Sequence, residues 1–167
     1  AAGVNPADLM FSKELRQIDP YLKSPYQSNT SKLYDGGSGL VSNIDDYAQF
    51  ALMLMNKGEL NGVRILSESS VELMSKNHLS DSVLSDGAAF GLDGIGFGLT
   101  MAVVEDAGRA GTYSTNGEFS WGGAASTTFW VDPVNQLTAV MMTQYMPSDK
   151  YPLREDLKTL IYSGLSN

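Results

Sequence analysis

Trp121-Gly122-Gly123-Ala124, inside the run GEFSWGGAASTTFWVDP from Gly117 to Pro133, is the stretch whose residue types and spacing could do chemistry. Glycine weakens a strand, and a pair within a strand-like run marks a bend, a bulge or the close approach of another backbone. Spacing alone leaves two readings open. One is a β-bulge in a central strand. The other is a strand edge stripped of side chains, where a substrate lies alongside and one N–H is aimed at a developing oxyanion. Whether Trp121 faces a cleft or the core is not fixed, because the glycine pair can shift the side-chain alternation by one residue.

Other chemistry is sparse. The nearest approach to Gly-x-Ser-x-Gly is GGSGL around Ser38, which carries Leu40 where the second flanking glycine is needed. His78 is the single histidine, and it follows a predicted helix in a polar context, so it reads as a surface or helix-end residue. With one His and no Cys there is no thiol nucleophile, disulfide framework or multi-histidine zinc site within the chain, and no metal or cofactor is expected. No Gly-x-x-x-x-Gly-Lys loop is present, and GIGFG opens a strand rather than joining strand to helix. Asp45 and Asp46 read as first-turn helix residues, and Met53, Met55, Met141 and Met142 as core.

Composition narrows the class. A length of 167 residues with 43% hydrophobic and 18% charged residues suits one soluble globular domain. The net charge of −8 and eleven scattered basic residues leave no basic face for nucleic acid, and they disfavour acidic partners too. No apolar run approaches the ~20 residues that cross a bilayer. The opening AAGVNPADLMFSKEL has no basic head before an apolar stretch and does not read as a secretory signal, although it need not be the natural beginning of a protein.

The elements that would position the glycine pair follow from capping and period. Asn5 and Pro6 predict a short helix to about Lys13. Ser42 is a candidate N-cap for a helix whose Ile44, Tyr47, Ala48, Ala51, Leu52 and Met55 recur at helical spacing, with Gly58 as its stop. Asn61-Gly62 predicts a tight turn between two short extended arms. Ser67 caps a second helix with Val71, Leu73 and Met74 near one face. From Gly94 the period becomes two: Ile95, Phe97, Leu99, Met101 and Val103 alternate with Gly96, Gly98, Thr100 and Ala102, predicting one strand with a face stripped for close packing. Phe119, Trp121, Ala125, Thr127, Phe129 and Val131 share a parity. LTAVMMTQYM predicts a central strand, apolar on both faces. Pro152 opens a last helix with Leu153, Leu157, Leu160 and Ile161 on one face and Gly164 near its end. Helices, an antiparallel meander of about three strands and a closing helix make an α+β arrangement.

Three stretches carry a resemblance to a known family. YDGGSGLVSNIDDYAQFALMLMNKGELNGVRILSESSVELM is similar to the Gly-Gly-Leu-x-Ser-x-x-Asp segment of the serine β-lactamase and penicillin-binding-protein superfamily, closest to its class C and family VIII-type esterase branch. GFGLTMAVVED resembles the strand before the third active-site motif, and GEFSWGGAASTTFWVDPVNQLTAVMMTQY resembles that motif with the strand after it. The likeness runs from about Tyr34 to the C-terminus.

The resemblance implies an antiparallel sheet flanked by helices, here only its C-terminal part: a single partial domain over 1–167, with 1–93 the end of the helical region and linkers and 94–167 the strands and last helix. It implies acyl-enzyme chemistry in a bacterial hydrolase, with a Ser-x-x-Lys nucleophile and base. Trp121-Gly122-Gly123 would stand where Lys-Thr-Gly stands, lining a substrate, and the Ala124 N–H would be the oxyanion donor. Trp in place of Lys removes the cation that β-lactam carboxylates use and favours a neutral ester. No serine here has Lys three residues on (Ser148 comes nearest, with Lys150 one short), and no Tyr is followed by x-Asn. The implied protein is therefore the oxyanion half of an esterase, inactive alone, whose partners are a small ester or amide, the nucleophile-bearing N-terminal half, and a second copy through an exposed sheet edge. The alternatives are a non-catalytic binding module on the same scaffold, or a fragment of a penicillin-binding carboxypeptidase or β-lactamase. Cytoplasm and periplasm remain equally open.

Overall fold

The computed structural model describes residues 40–85, 93–148 and 150–165, and residues 44–167 cluster as one compact unit. The helix expected at Asn5–Lys13 and the Ser38 segment lie outside the described residues.

The first helix, α1 (Ile44–Met55), carries Asp45 and Asp46 in its first turn, where the dipole favours anions, and buries Ala51, Met53 and Leu54. It starts just after Asn43, one residue beyond the position a Ser42 cap requires, and the Ser42 hydroxyl turns to the Asn43 carbonyl instead. Gly58 ends it as expected. At φ +93° it adopts the left-handed region, and a Cβ there would stand 2.2 Å from the Leu66 carbonyl oxygen, so glycine is required on both counts. The Gly58 carbonyl accepts from Ile65 and Leu66, closing the hairpin of β1 (Glu59–Leu60) and β2 (Val63–Arg64). Asn61 and Gly62, at φ 51° and 78°, make its turn, with the positive dihedrals that a two-residue hairpin needs. In α2 (Glu68–Met74) the Ser67 hydroxyl accepts from Ser70 N at 3.1 Å, the predicted cap. Val71 is buried, whereas Leu73, expected on the same face, is half exposed. A short helix, α3 (Asp81–Ser85), follows.

The stretch read as one strand from Gly94 folds back on itself. Strands β3 (Ile95–Phe97) and β4 (Ala102–Val104) pair antiparallel, and Gly98 N donates to Met101 O across the bend. The stripped face nevertheless packs closely, as the glycines predicted. A Cβ on Gly96 would meet the Asn77 side chain at 2.5 Å, and one on Gly98 would meet the Met74 carbonyl oxygen at 1.9 Å. Asn77 Oδ1 accepts from Phe97 N and Leu79 N, which ties the segment after α2 to β3.

After the four-residue helix α4 (Ala107–Ala110) come β5 (Phe119–Gly122), β6 (Thr128–Asp132) and β7 (Leu137–Met141). The sheet order β3-β4-β5-β6-β7 is an antiparallel meander of five strands rather than three. Strand β6, not β7, is buried along its whole length, and β7 forms an edge among the described residues. Met142, just past β7, is exposed rather than core. One sheet face presents Val103, Phe119, Phe129 and Val131 to α1 and α2, where Ala51, Met53, Leu54, Val71 and Met101 complete the core. Tyr47, Phe50 and Phe129 meet edge to face with centroids 5.4–6.0 Å apart.

The last helix, α5 (Leu153–Ser163), lies beside the opposite face. Pro152 occupies its N-cap position and Gly164 its C-cap. Leu160, expected inward, is 71% exposed. The stripe that reaches the sheet is Arg154, Lys158 and Tyr162, spaced i, i+4, i+8 along one side of the helix.

Candidate active site at the end of strand β5

Trp121 and Gly122 end β5 and pair with Phe129 and Thr128 on β6; Gly123 and Ala124 enter the turn that joins the two strands. The glycine pair therefore marks a strand end, not a bulge within a continuous strand. Trp121 shares its register face with Phe119 and Phe129 but lies beyond the core. It is 41% exposed, with its ring edge-on to Phe97 at 5.3 Å.

Protein groups fill the space that the two glycines leave. A Cβ on Gly122 would stand 2.5 Å from Arg154 Nη2 and 2.9 Å from the Thr127 carbonyl oxygen, and one on Gly123 would stand 2.5 Å from Thr127 Oγ1. Arg154 Nη2 donates to Gly123 O at 2.9 Å and to Thr127 O at 3.1 Å. Gly123 N closes the base of the turn on Thr127 O at 3.0 Å, and Ser126 N donates to Gly123 O at 3.1 Å. From the other side Ala125 O accepts from Tyr145 N and from the Thr143 hydroxyl, while the Ser126 hydroxyl donates to Tyr145 O at 2.7 Å. Ser126 is buried at φ +63°, a left-handed conformation that these contacts hold in place.

The carbonyls of Gly123, Ala125 and Thr127 are thus each held twice or more. The N–H of Ala124, exposed at the tip, meets no acceptor among the described residues. Central residues of any β-turn keep free N–H groups. In this turn three carbonyls are fixed, among them Gly123 O in the peptide unit of the Ala124 N–H, so a donor at Ala124 keeps its direction. Such an arrangement can hold a developing negative charge without reorganising.

Sequence reasoning missed the polar cluster that anchors α5 to the sheet. Glu118 and Asp132 are both fully buried. Lys158 pairs with Glu118 and lies 5.6 Å from the centroid of the Trp130 ring. Tyr162 Oη lies 2.6 Å from Asp132 Oδ2 and 2.9 Å from Glu118 Oε2; Thr115 and Asn135 also donate to Asp132. Burial pushes the Glu118 carboxyl up, against the pull of Lys158 and Tyr162. Burial also pushes Asp132 up, but the hydrogen bonds from Thr115, Tyr162 and Asn135 outweigh it and hold the carboxyl below its ordinary value. Burial first, then the two carboxylates, raises the Tyr162 phenol far above its usual range. The signal available in sequence was the i, i+4, i+8 polar stripe of α5.

A cavity of about 320 Å3 lies between this sheet face and α5, with Val104, Ser120, Gly122, Trp130, Arg154 and Lys158 among its walls. His78 has the helix-end role expected of it: its Nε2 lies 2.8 Å from Leu73 O. Among the described residues no helix is long and apolar enough to cross a membrane, and no cluster of three or more His, Asp or Glu is placed to hold a metal ion.

Comparison with known proteins bears on the fold and the family. The chain is 38% identical over 119 residues to the Mycobacterium tuberculosis proteins "Uncharacterized protein MT1414" and "Protein Rv1367c", a match over 68% of this chain and 29% of each relative. Its fold is similar to that of EstCE1, described as a hydrolase with promiscuous acyltransferase activity, with TM-score 0.63 and 28% identity over 76% of this chain and 31% of EstCE1. It also shares its fold with a mutant of the simvastatin synthase LovD from Aspergillus terreus, with TM-score 0.66 and 20% identity over 84% of this chain and 38% of LovD. The chain thus spans less than a third of the length of the curated relatives it matches. The Beta-lactamase family model matches residues 3–162, and the chain belongs to that family of serine hydrolases.

Proposed function

We propose that this chain supplies the oxyanion-donating strand end of a serine esterase or acyltransferase, with Ala124 N–H as the donor and Trp121, Gly122 and Gly123 lining the substrate. The observation that carries this reading is the turn at 123–127, whose Gly123, Ala125 and Thr127 carbonyls are each held twice while Ala124 stays exposed. Trp121 supports a neutral acyl group over a β-lactam, because an aromatic wall replaces a cation at the site where a carboxylate would be held. The description of EstCE1 as a hydrolase with acyltransferase activity points the same way.

No Ser-x-x-Lys occurs in the 167 residues, so the nucleophile comes from a segment outside them and the isolated chain is inactive. The edge of β7, unpaired among the described residues, is where that segment, or a second copy of the chain, adds to the sheet.

Expressed from its full reading frame, the protein hydrolyses p-nitrophenyl butyrate and takes up a fluorophosphonate at a serine outside residues 1–167, while the isolated chain does neither. Labelling of the isolated chain, or labelling of neither form together with no turnover, overturns the proposal; the second outcome returns the chain to a non-catalytic binding role. Covalent labelling of the full protein by penicillin would refute the ester preference alone.

A further inference from the structure

We infer that Arg154 is a positioning residue for this chemistry: from the first turn of α5 it aims and polarises the Ala124 N–H through the peptide group that this N–H shares with the Gly123 carbonyl. The inference rests on the proposed role of Ala124, and it adds a residue that touches neither substrate nor nucleophile.

The peptide bond is planar and trans, so the Gly123 C=O and the Ala124 N–H are fixed antiparallel across one rigid unit. Whatever holds the oxygen therefore sets the direction of the hydrogen on the far side. Arg154 Nη2 holds that oxygen at 2.9 Å, and Ser126 N holds it at 3.1 Å. The same Arg154 nitrogen donates to Thr127 O at 3.1 Å, joining the two arms of the turn at its base. A cationic donor against the carbonyl oxygen also draws electron density from the amide and makes the N–H a stronger donor, as hydrogen bonds in series polarise one another. Arg154 is partly buried and approaches from the α5 side, away from the exposed tip where Ala124 sits. The site is built to receive it. Gly122 has no Cβ at the place where the guanidinium lies, 2.5 Å from Nη2 and 2.6 Å from Cζ. Both contacts come from one nitrogen, so Lys can reproduce them only by placing its ammonium where Nη2 lies, without the planar guanidinium that fills the space beside Gly122.

The test is Arg154→Ala in the full protein, with Arg154→Lys beside it. Deleting an oxyanion donor costs about 10²–10³ in kcat. Loosening one that remains present should cost a smaller share, about tenfold in kcat for Arg154→Ala with KM unchanged. Arg154→Lys should fall between, and millimolar guanidinium should restore part of the Arg154→Ala rate. A readout independent of turnover accompanies this: the Ala124 amide proton should move upfield in Arg154→Ala, and Gly123 and Ser126 amides should exchange faster. Wild-type kcat in a folded Arg154→Ala protein, or a loss wholly in KM, overturns the inference and leaves the proposed function standing. If the wild-type protein turns over no ester, the proposed function fails. The Ala124 shift then decides the inference by itself, and an unchanged shift sinks it.

Discussion

Replacing Lys158 by Met should remove a large part of the stability of this protein at neutral pH, and it should do so in a pH-dependent way. Glu118 is wholly buried and Lys158 nearly so, with 15% of its side chain exposed. Without Lys158 the Glu118 carboxylate keeps, among the described residues, only Tyr162, whose single proton is already shared with Asp132. Removing one partner of a buried pair costs about 3–5 kcal/mol, a third or more of the stability of an ordinary domain. The variant escapes part of this by protonating Glu118. Its carboxyl is already raised by burial, and Lys158 is the main group pulling it down. A carboxyl with a raised folded-state pKa binds a proton that the unfolded chain, titrating near ~4.3, releases, so folding gains as pH falls towards that value. The Lys158→Met penalty should therefore be largest near pH 8 and shrink steadily towards pH 5. Glu118→Gln combined with Lys158→Met should recover most of it at pH 8, because no charge is then stranded. Urea unfolding followed by tryptophan fluorescence measures this, since Trp130 lies under Lys158. A penalty below about 1 kcal/mol at pH 8, or one that does not change with pH, would refute the reasoning.

Two further outcomes follow from the packing. Gly98→Ala drives a Cβ to within 1.9 Å of the Met74 carbonyl oxygen, a backbone atom that also accepts from Leu99, and should cost about 2–3 kcal/mol by urea midpoint. Gly117→Ala, with open space around its Cβ and only a positive φ against it, should cost about 1–2 kcal/mol; equal costs at the two positions would refute the steric account. Tyr162 holds its proton far above the ordinary phenol range, whereas in the unfolded chain it ionises near ~10, so stability is full below that pH and falls as pH rises beyond it. Tyr162→Phe should lower stability at pH 7 and flatten the alkaline fall seen by thermal melts between pH 9 and 11; an unchanged slope would show that the phenol is not linked to folding.

Local signals were legible where one residue settles the backbone. Ser67, Asn61-Gly62, Gly58 and Gly164 did so, and the helix 44–55 followed from its period and first-turn acids. The β3–β4 hairpin was not legible, because alternation continues across a reversal. Ile95, Phe97 and Val103 keep one parity in sequence, but pairing Ile95 with Val104 and Phe97 with Ala102 puts Val103 on the other face. The same arithmetic spared the next hairpin, where Trp121 pairs with Phe129 and Phe119 with Val131, so the residues read together do share a face. The face of α5 was read incompletely for a different reason: Leu153, Leu157 and Ile161 are half-buried as expected, but the polar side chains beside them were not weighed. Leucines were weighed as the buried side, but the sheet there carries Glu118 and Asp132, and a helix meeting buried carboxylates must bring cations and hydroxyls to them.

Hydrophobic ranking cannot find such a face, because the charge on one element is explained only by the charge on another. The glycine pair poses the same problem in miniature. Read alone, two missing side chains at 122 and 123 look like room for a substrate. In the fold that room belongs to Arg154 and to Thr127 Oγ1. Space on the α5 side lets a guanidinium grip the carbonyls, and a gripped carbonyl leaves the opposite N–H pointing outward in one direction. The glycines would then serve a ligand by first serving the fold. This predicts that Gly122→Ala and Arg154→Ala are not additive. Gly122→Ala destroys the Arg154 contacts by displacement, so adding it to Arg154→Ala should cost at least 1 kcal/mol less than the sum of the two single effects, in a double-mutant cycle read by urea unfolding. Additivity to within ~0.5 kcal/mol would mean that the glycine is there for something other than the arginine.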